Sequence, residues 1–90
     1  MRAMAIGLLF ELPGMTREQY DGMIEQSGLA DRLPPGQISH VAGPMEGGWR
    51  VIDVWESREH FDRFAEETLA PLMGGQAPQP EQFEVHAYRV

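Results

Sequence analysis

Hydrophobic positions along the chain fall into short blocks separated by glycine- and proline-rich breaks. Residues 3–10, AMAIGLLF, are apolar throughout and stop at ELPG, which predicts a strand buried on both faces. Gly7 inside that run predicts either a close approach to the backbone or a bulge. TREQ is a capping box in which the Thr16 side chain caps a first helix and Gln19 reaches back. Tyr20, Met23, Ile24 and Ser27 follow at helical spacing and form its inward stripe. Gly28 weakens the helix end and RLPPG stops it. QISHVAGP is a second strand, MEGG a turn, and residues 48–56 a third strand.

Taking Glu46-Gly47 as a two-residue loop, Met45 faces Gly48. Counting back pairs Ala42 with Val51, His40 with Asp53 and Ile38 with Trp55, and only an odd insertion exchanges the faces. Ser57 caps a second helix, SREHFDRFAEETLAPLM, with Phe61, Phe64, Ala65, Thr68 and Leu69 inward. Pro71 has no N–H to offer Glu67 and is expected to end or kink that helix. GGQAPQP is a loop. Residues 82–90 alternate and form the last strand, with Phe83, Val85 and Ala87 on one side and Glu84, His86 and Tyr88 on the other. The order β-α-β-β-α-β predicts one α+β, ferredoxin-like domain over residues 1–90. Right-handed crossovers place both helices on one face of a four-stranded antiparallel sheet, in spatial order 4-1-3-2.

The third strand is apolar on both faces. Trp49, Val51, Asp53 and Trp55 share one, and Arg50, Ile52, Val54 and Glu56 the other. Two helices cover only one face, to which Ile52, Val54, Phe83 and Val85 are assigned. That leaves Trp49, Val51, Trp55, Ile38, Ala42 and Tyr88 on the helix-free side. Each exposed large aromatic would present about 150–250 Å² to water. At ~25 cal/mol per Å², two wet tryptophans forfeit several kcal/mol of a total stability of about 5–15 kcal/mol. A chain of 90 residues has a thin core to begin with. The expected partner is therefore a second copy, in a two-fold homodimer through the helix-free sheet face.

Composition narrows the chemistry. Net charge is −7 and every basic residue is an arginine, a balance that repels phosphate backbones and argues against nucleic acid as a partner. RNA-recognition modules share this topology and place aromatics on the third strand, but the acidic balance and the absent G-F-x-F pattern point away from them. Without cysteine there is no disulfide, thiol nucleophile, iron–sulfur cluster or thiolate zinc site. Without lysine there is no Schiff base. Asparagine is absent as well, and the joint lack of Lys and Asn suggests a GC-rich genome. The opening MRAMAIGLLFELPG looks like a signal peptide, but its apolar run is short, Glu11 interrupts it and no A-x-A site follows. No run reaches transmembrane length, so a cytoplasmic protein with no membrane partner is expected.

The stretches GPMEGGWRVIDVWESREHFDRF, LPGMTREQYD and HVAGP resemble the dimeric α/β-barrel superfamily. Within it the chain is similar to the antibiotic-biosynthesis-monooxygenase-like branch, and more closely to small actinobacterial members of unknown function. The resemblance covers nearly the whole chain, and its most specific piece is W-E-S-x-x-x-F, Trp55 to Phe61, a strand-to-helix junction. It implies a bacterial homodimer with a cavity between sheet and helices or beside the sheet. It also implies cofactor-independent oxidation or isomerisation of a small aromatic or polyketide-like molecule, with a non-catalytic ligand-binding or structural dimer as the alternative. Haem-degrading relatives use an asparagine from the first strand, a tryptophan near the end of the third and a histidine in the following helix. Trp55 matches the tryptophan, Ala65 stands near the histidine's place, and the chain has no asparagine, so that chemistry is not expected.

His40 and Asp53 are the sharpest candidate pair. Set opposite each other, the carboxylate can orient the imidazole and favour its charged form, making His40 a general base beside Trp55 as a stacking wall for a flat substrate. The blander reading is a cross-strand polar pair worth about 0.2–1 kcal/mol that fixes register or dimer geometry. His86 and Tyr88 are further substrate-binding candidates, against the alternative of an edge strand at a dimer interface. His40, Asp53 and His86 are a donor set for a non-haem metal, but strands two and four are opposite edges about 14 Å apart, so no metal site and no cofactor are assigned. His60 is expected in solvent with no role, and Trp49 at the hairpin as a dimer anchor.

Overall fold

Local chemistry sets the element ends. In a computed structural model that describes residues 5–29, 31–75 and 79–87, strand β1 spans Ile6–Pro13 and helix α1 spans Arg17–Ser27. The capping box forms as expected: Thr16 Oγ1 accepts from the Gln19 N–H at 3.1 Å, and the Gln19 side chain accepts from the Thr16 N–H at 2.9 Å. Gly28 closes α1 in the left-handed conformation, φ 77°, which only glycine adopts without strain. Strands β2 (Gln37–Met45) and β3 (Gly48–Trp55) form the hairpin about Glu46-Gly47. Ser57 caps α2, Arg58–Phe64, and β4 is Glu81–Glu84.

The four strands lie in the order β2-β3-β1-β4, all antiparallel, and this is the ferredoxin-like α+β fold. Register follows the hairpin count through Met45–Gly48, Ala42–Val51 and His40–Asp53. It departs at the next pair. A bulge between Gln37 and Ser39 sets Gln37, not Ile38, opposite Trp55, because Ile38 is the extra residue that the bulge inserts.

Which sheet face meets the helices is the reverse of the expected one. Trp49, Val51, Asp53 and Trp55 are buried on the helix side with Leu8 and Phe10 of β1 and Phe61 of α2. Ile52 is 39% exposed, Val41 63% and Phe83 49%. Alternation sorts residues into two sets but does not say which set points inward. Helix aromatics decide it: Trp55 packs edge-on to Phe61 at 5.6 Å and against Phe64 at 5.4 Å, and Tyr20 against Trp49 at 5.4 Å. Only the largest side chains fill so thin a two-layer core. Trp49 is therefore a core residue and not an exposed anchor.

Pro71 ends the second helix one residue on, as expected, and the helix leaves α geometry before reaching it: α2 widens into a π-helical turn, Ala65–Leu69, before a last α-turn, Ala70–Leu72. The Ala70 N–H reaches the Ala65 carbonyl, and this wider loop takes the place of the α-helical bond that Pro71 cannot donate. The last strand is also shorter than expected, ending at Glu84, although the Val85 N–H still bonds the Ala5 carbonyl at 3.0 Å. On the helix-free face, the Phe83 ring sits over Gly7, where any Cβ would overlap it.

Candidate functional site

Asp53 is the consequence of that inverted face. It follows the parity of Trp49, Val51 and Trp55, so it enters the core layer and is only 5% exposed. A buried carboxylate needs hydrogen-bond partners. Two arrive from the same face. The Trp55 indole N–H donates to Asp53 Oδ2 at 3.3 Å, and His40 Nδ1 lies 2.6 Å from Asp53 Oδ1. A carboxylate only accepts, so in the neutral imidazole Nδ1 carries the hydrogen and Nε2 presents its lone pair. The Tyr20 hydroxyl occupies that lone pair. The Tyr20 and His40 rings lie 7° from parallel with centroids 6.1 Å apart.

The result is a hydrogen-bonded line from α1 through β2 to β3: Tyr20, His40, Asp53, Trp55. Its first three members border a cavity of about 70 Å³ between the sheet and the helices. Phe10, Phe61 and Phe64 form apolar walls, and Met23, Leu72 and Met73 also border the cavity, on the helix side. Among the described residues no arginine lines it. Burial, then the Asp53 and Asp21 carboxylates, hold the Tyr20 phenol above its ordinary value of 10.0, so at neutral pH it is a protonated donor. The Ala65–Leu69 π turn leads through Ala70 and Pro71 to Leu72 and Met73, and Leu69 itself lines the cavity.

Of the site residues anticipated from sequence, His40 and Asp53 come together in the expected register. Trp55, expected as a wall, is fully buried, stands outside the cavity lining and donates to Asp53. His86 is exposed beyond the end of β4, away from the cavity residues, and Tyr88 lies outside the described residues. Among the described residues no three His, Asp or Glu side chains gather as a metal site. His60 is not free in solvent. It packs over Gly36, whose φ is 88°, and its Nδ1 lies 2.7 Å from the Ser57 hydroxyl. The residue missed from sequence is Tyr20, placed on the inward stripe of α1 but not joined to His40, because that pairing requires the sheet face now known to point inward.

The fold is shared with SnoaB from Streptomyces nogalater, a cofactor-independent oxygenase. A point mutant of that oxygenase superposes with a TM-score of 0.58 at 13% identity, over 98% of this chain and 96% of that one. A second structure of the same oxygenase gives 0.51 at 14% identity, over 96% and 92%. No protein-family model matches the chain, and no curated protein matches its sequence. Among the described residues no helix is long and apolar enough to cross a membrane.

Proposed function

We propose that the chain is a small cytoplasmic enzyme of the antibiotic-biosynthesis-monooxygenase-like type, acting without a cofactor on a small aromatic molecule. The observation that carries this is the His40–Asp53 pair, a half-buried imidazole 2.6 Å from a buried carboxylate, set at the edge of an apolar cavity. Asp53 fixes the imidazole tautomer and stabilises the imidazolium that forms when His40 takes a proton. Removing a proton from a CH₂ beside an aromatic ketone leaves a carbanion. Reprotonation at another carbon is isomerisation. Combination with O₂, with return of the proton, gives a hydroperoxide; loss of water then breaks the O–O bond and the second C–H bond and leaves a ketone. The SnoaB fold supports the oxidative branch.

A non-catalytic dimer, structural or ligand-binding, is the second reading, favoured by the size of the cavity. At about 70 Å³ it is smaller than the roughly 150 Å³ apolar cavity that admits benzene. Oxygen uptake and solvent-deuterium incorporation, measured over a panel of hydroxylated aromatic ketones, separate the two. The enzymatic reading expects turnover that falls at least about a hundredfold in His40→Gln. Wild-type protein that neither consumes O₂ nor exchanges deuterium, or a variant as active as wild type, sinks it.

Part of the same proposal is a two-fold dimer through the helix-free sheet face. The support is a row of apolar side chains across three strands, Val41, Ile52 and Leu9, directly opposite one another, with Phe83 beside it. A face of this kind on a small monomer would leave several large hydrophobic groups wet.

A further inference from the structure

His40 cannot meet a ligand directly. Its Nδ1 is committed to Asp53 and its Nε2 to the Tyr20 hydroxyl. Tyr20 is the member of the line with capacity to spare: a phenol oxygen offers one donor and two lone pairs, and the donor is spent on His40. Tyr20 is half-buried, borders the cavity, and is held there by the hydrogen bond to His40 and by packing against Trp49.

We propose that Tyr20, not His40, is the group that touches the ligand, accepting the ligand's proton at Oη while passing its own to His40 Nε2. This rests on the reading of His40 as the base. The exchange balances. The ligand's O–H or C–H bond breaks and a new Oη–H bond forms, the old Oη–H bond breaks and an Nε2–H bond forms, and Asp53 holds the resulting imidazolium. The line ends as ligand anion, neutral phenol, imidazolium and carboxylate. The new Oη–H then points back at the ligand anion and stabilises it, so one hydroxyl serves as acceptor before transfer and donor after it.

The geometry also selects the ligand. A terminus that accepts requires a ligand that donates. Among the described residues no arginine lines the cavity, and the Asp53 carboxylate itself borders it, so a ligand that arrives as an anion is repelled and finds no counter-charge there. The apolar walls suit an uncharged ring bearing one acidic hydroxyl. Met23 and Met73, unbranched and adaptable, border the cavity where it must enlarge to admit that ring.

Titration calorimetry with phenol, anisole and benzoate tests this, because the three share a ring and differ only in what they offer Oη. The expectation is that wild type binds phenol at least about tenfold more tightly than anisole and does not bind benzoate detectably. In Tyr20→Phe, phenol should fall to the anisole level while anisole stays within about twofold, which also shows that the variant is folded. Equal binding of phenol and anisole by wild type, or a preference that survives in Tyr20→Phe, overturns the Tyr20 assignment, and the reading of His40 as the base then stands or falls on the turnover of His40→Gln. Binding of neither overturns both this assignment and the reading of the cavity as a site. Benzoate binding as tight as phenol overturns the proposed selection against anions.

Discussion

Trp55 and Asp53, two residues apart on one face of β3, are joined by an indole-to-carboxylate hydrogen bond of 3.3 Å. Period-two geometry puts both side chains into the same layer, so the fully buried tryptophan shields a carboxylate that also orients His40. Trp55→Phe keeps most of the ring packing on Phe61 and Phe64 but removes one of the partners of Asp53. We expect a loss of about 1–3 kcal/mol in urea unfolding, together with weaker base chemistry at His40. Unchanged stability would mean that the indole bond contributes nothing.

Tyr20 predicts an alkaline limit to stability. Its phenol ionises above 10.0 in the folded chain because of burial first and then Asp53 and Asp21, whereas the unfolded chain ionises near 10.0. Below that pH both states are protonated and the full stability is present. As pH rises from 10.0 through the higher folded value, the unfolded state loses its proton first and stability falls. Phenolate absorbance followed against pH, with Tyr20→Phe subtracted, should show one tyrosine titrating late. A difference curve centred at or below 10.0 contradicts this.

Ile52 stands at the centre of the helix-free face, opposite both Val41 and Leu9. Ile52→Glu places a charge in the middle of the proposed sheet-to-sheet contact while leaving the inner face untouched. Light scattering should report a dimer for wild type and a monomer for the variant, with little change in its far-ultraviolet circular dichroism. A monomeric wild type at high concentration rejects the dimer.

Pro71 is the cause assigned to the π turn. Pro71→Ala restores an N–H that can reach Glu67, so the turn should tighten to α geometry and gain about 1 kcal/mol or more in stability. The same change rotates the helix end that carries Leu72 and Met73 and reshapes the cavity. Amide exchange at the substituted position reads the new bond. Fast exchange there, with unchanged stability, would place the origin of the turn elsewhere.

Much of the architecture is local and therefore legible in the chain. The Thr16 capping box, the Glu46-Gly47 hairpin and the Ser57 cap each depend on residues within a few positions of one another, and each forms as the sequence predicts. The hairpin count alone sets His40 opposite Asp53, because antiparallel register propagates two residues at a time from the turn. It stops being reliable at Ile38, where a bulge that no residue type announces inserts one extra position.

Tertiary packing decided the rest. Alternation divides β3 into two sets, yet the choice of inner set depends on what α1 and α2 bring to the layer, namely Tyr20, Phe61 and Phe64. That choice moves Trp49 and Trp55 into the core, buries Asp53, and gives His40 a second partner from a helix twenty residues earlier. Sequence by itself determined the order of elements and the histidine–aspartate register, because both arise from short-range geometry. Only the folded molecule determined which face closes over that pair and which hydroxyl completes it, because both depend on contacts between segments far apart in the chain.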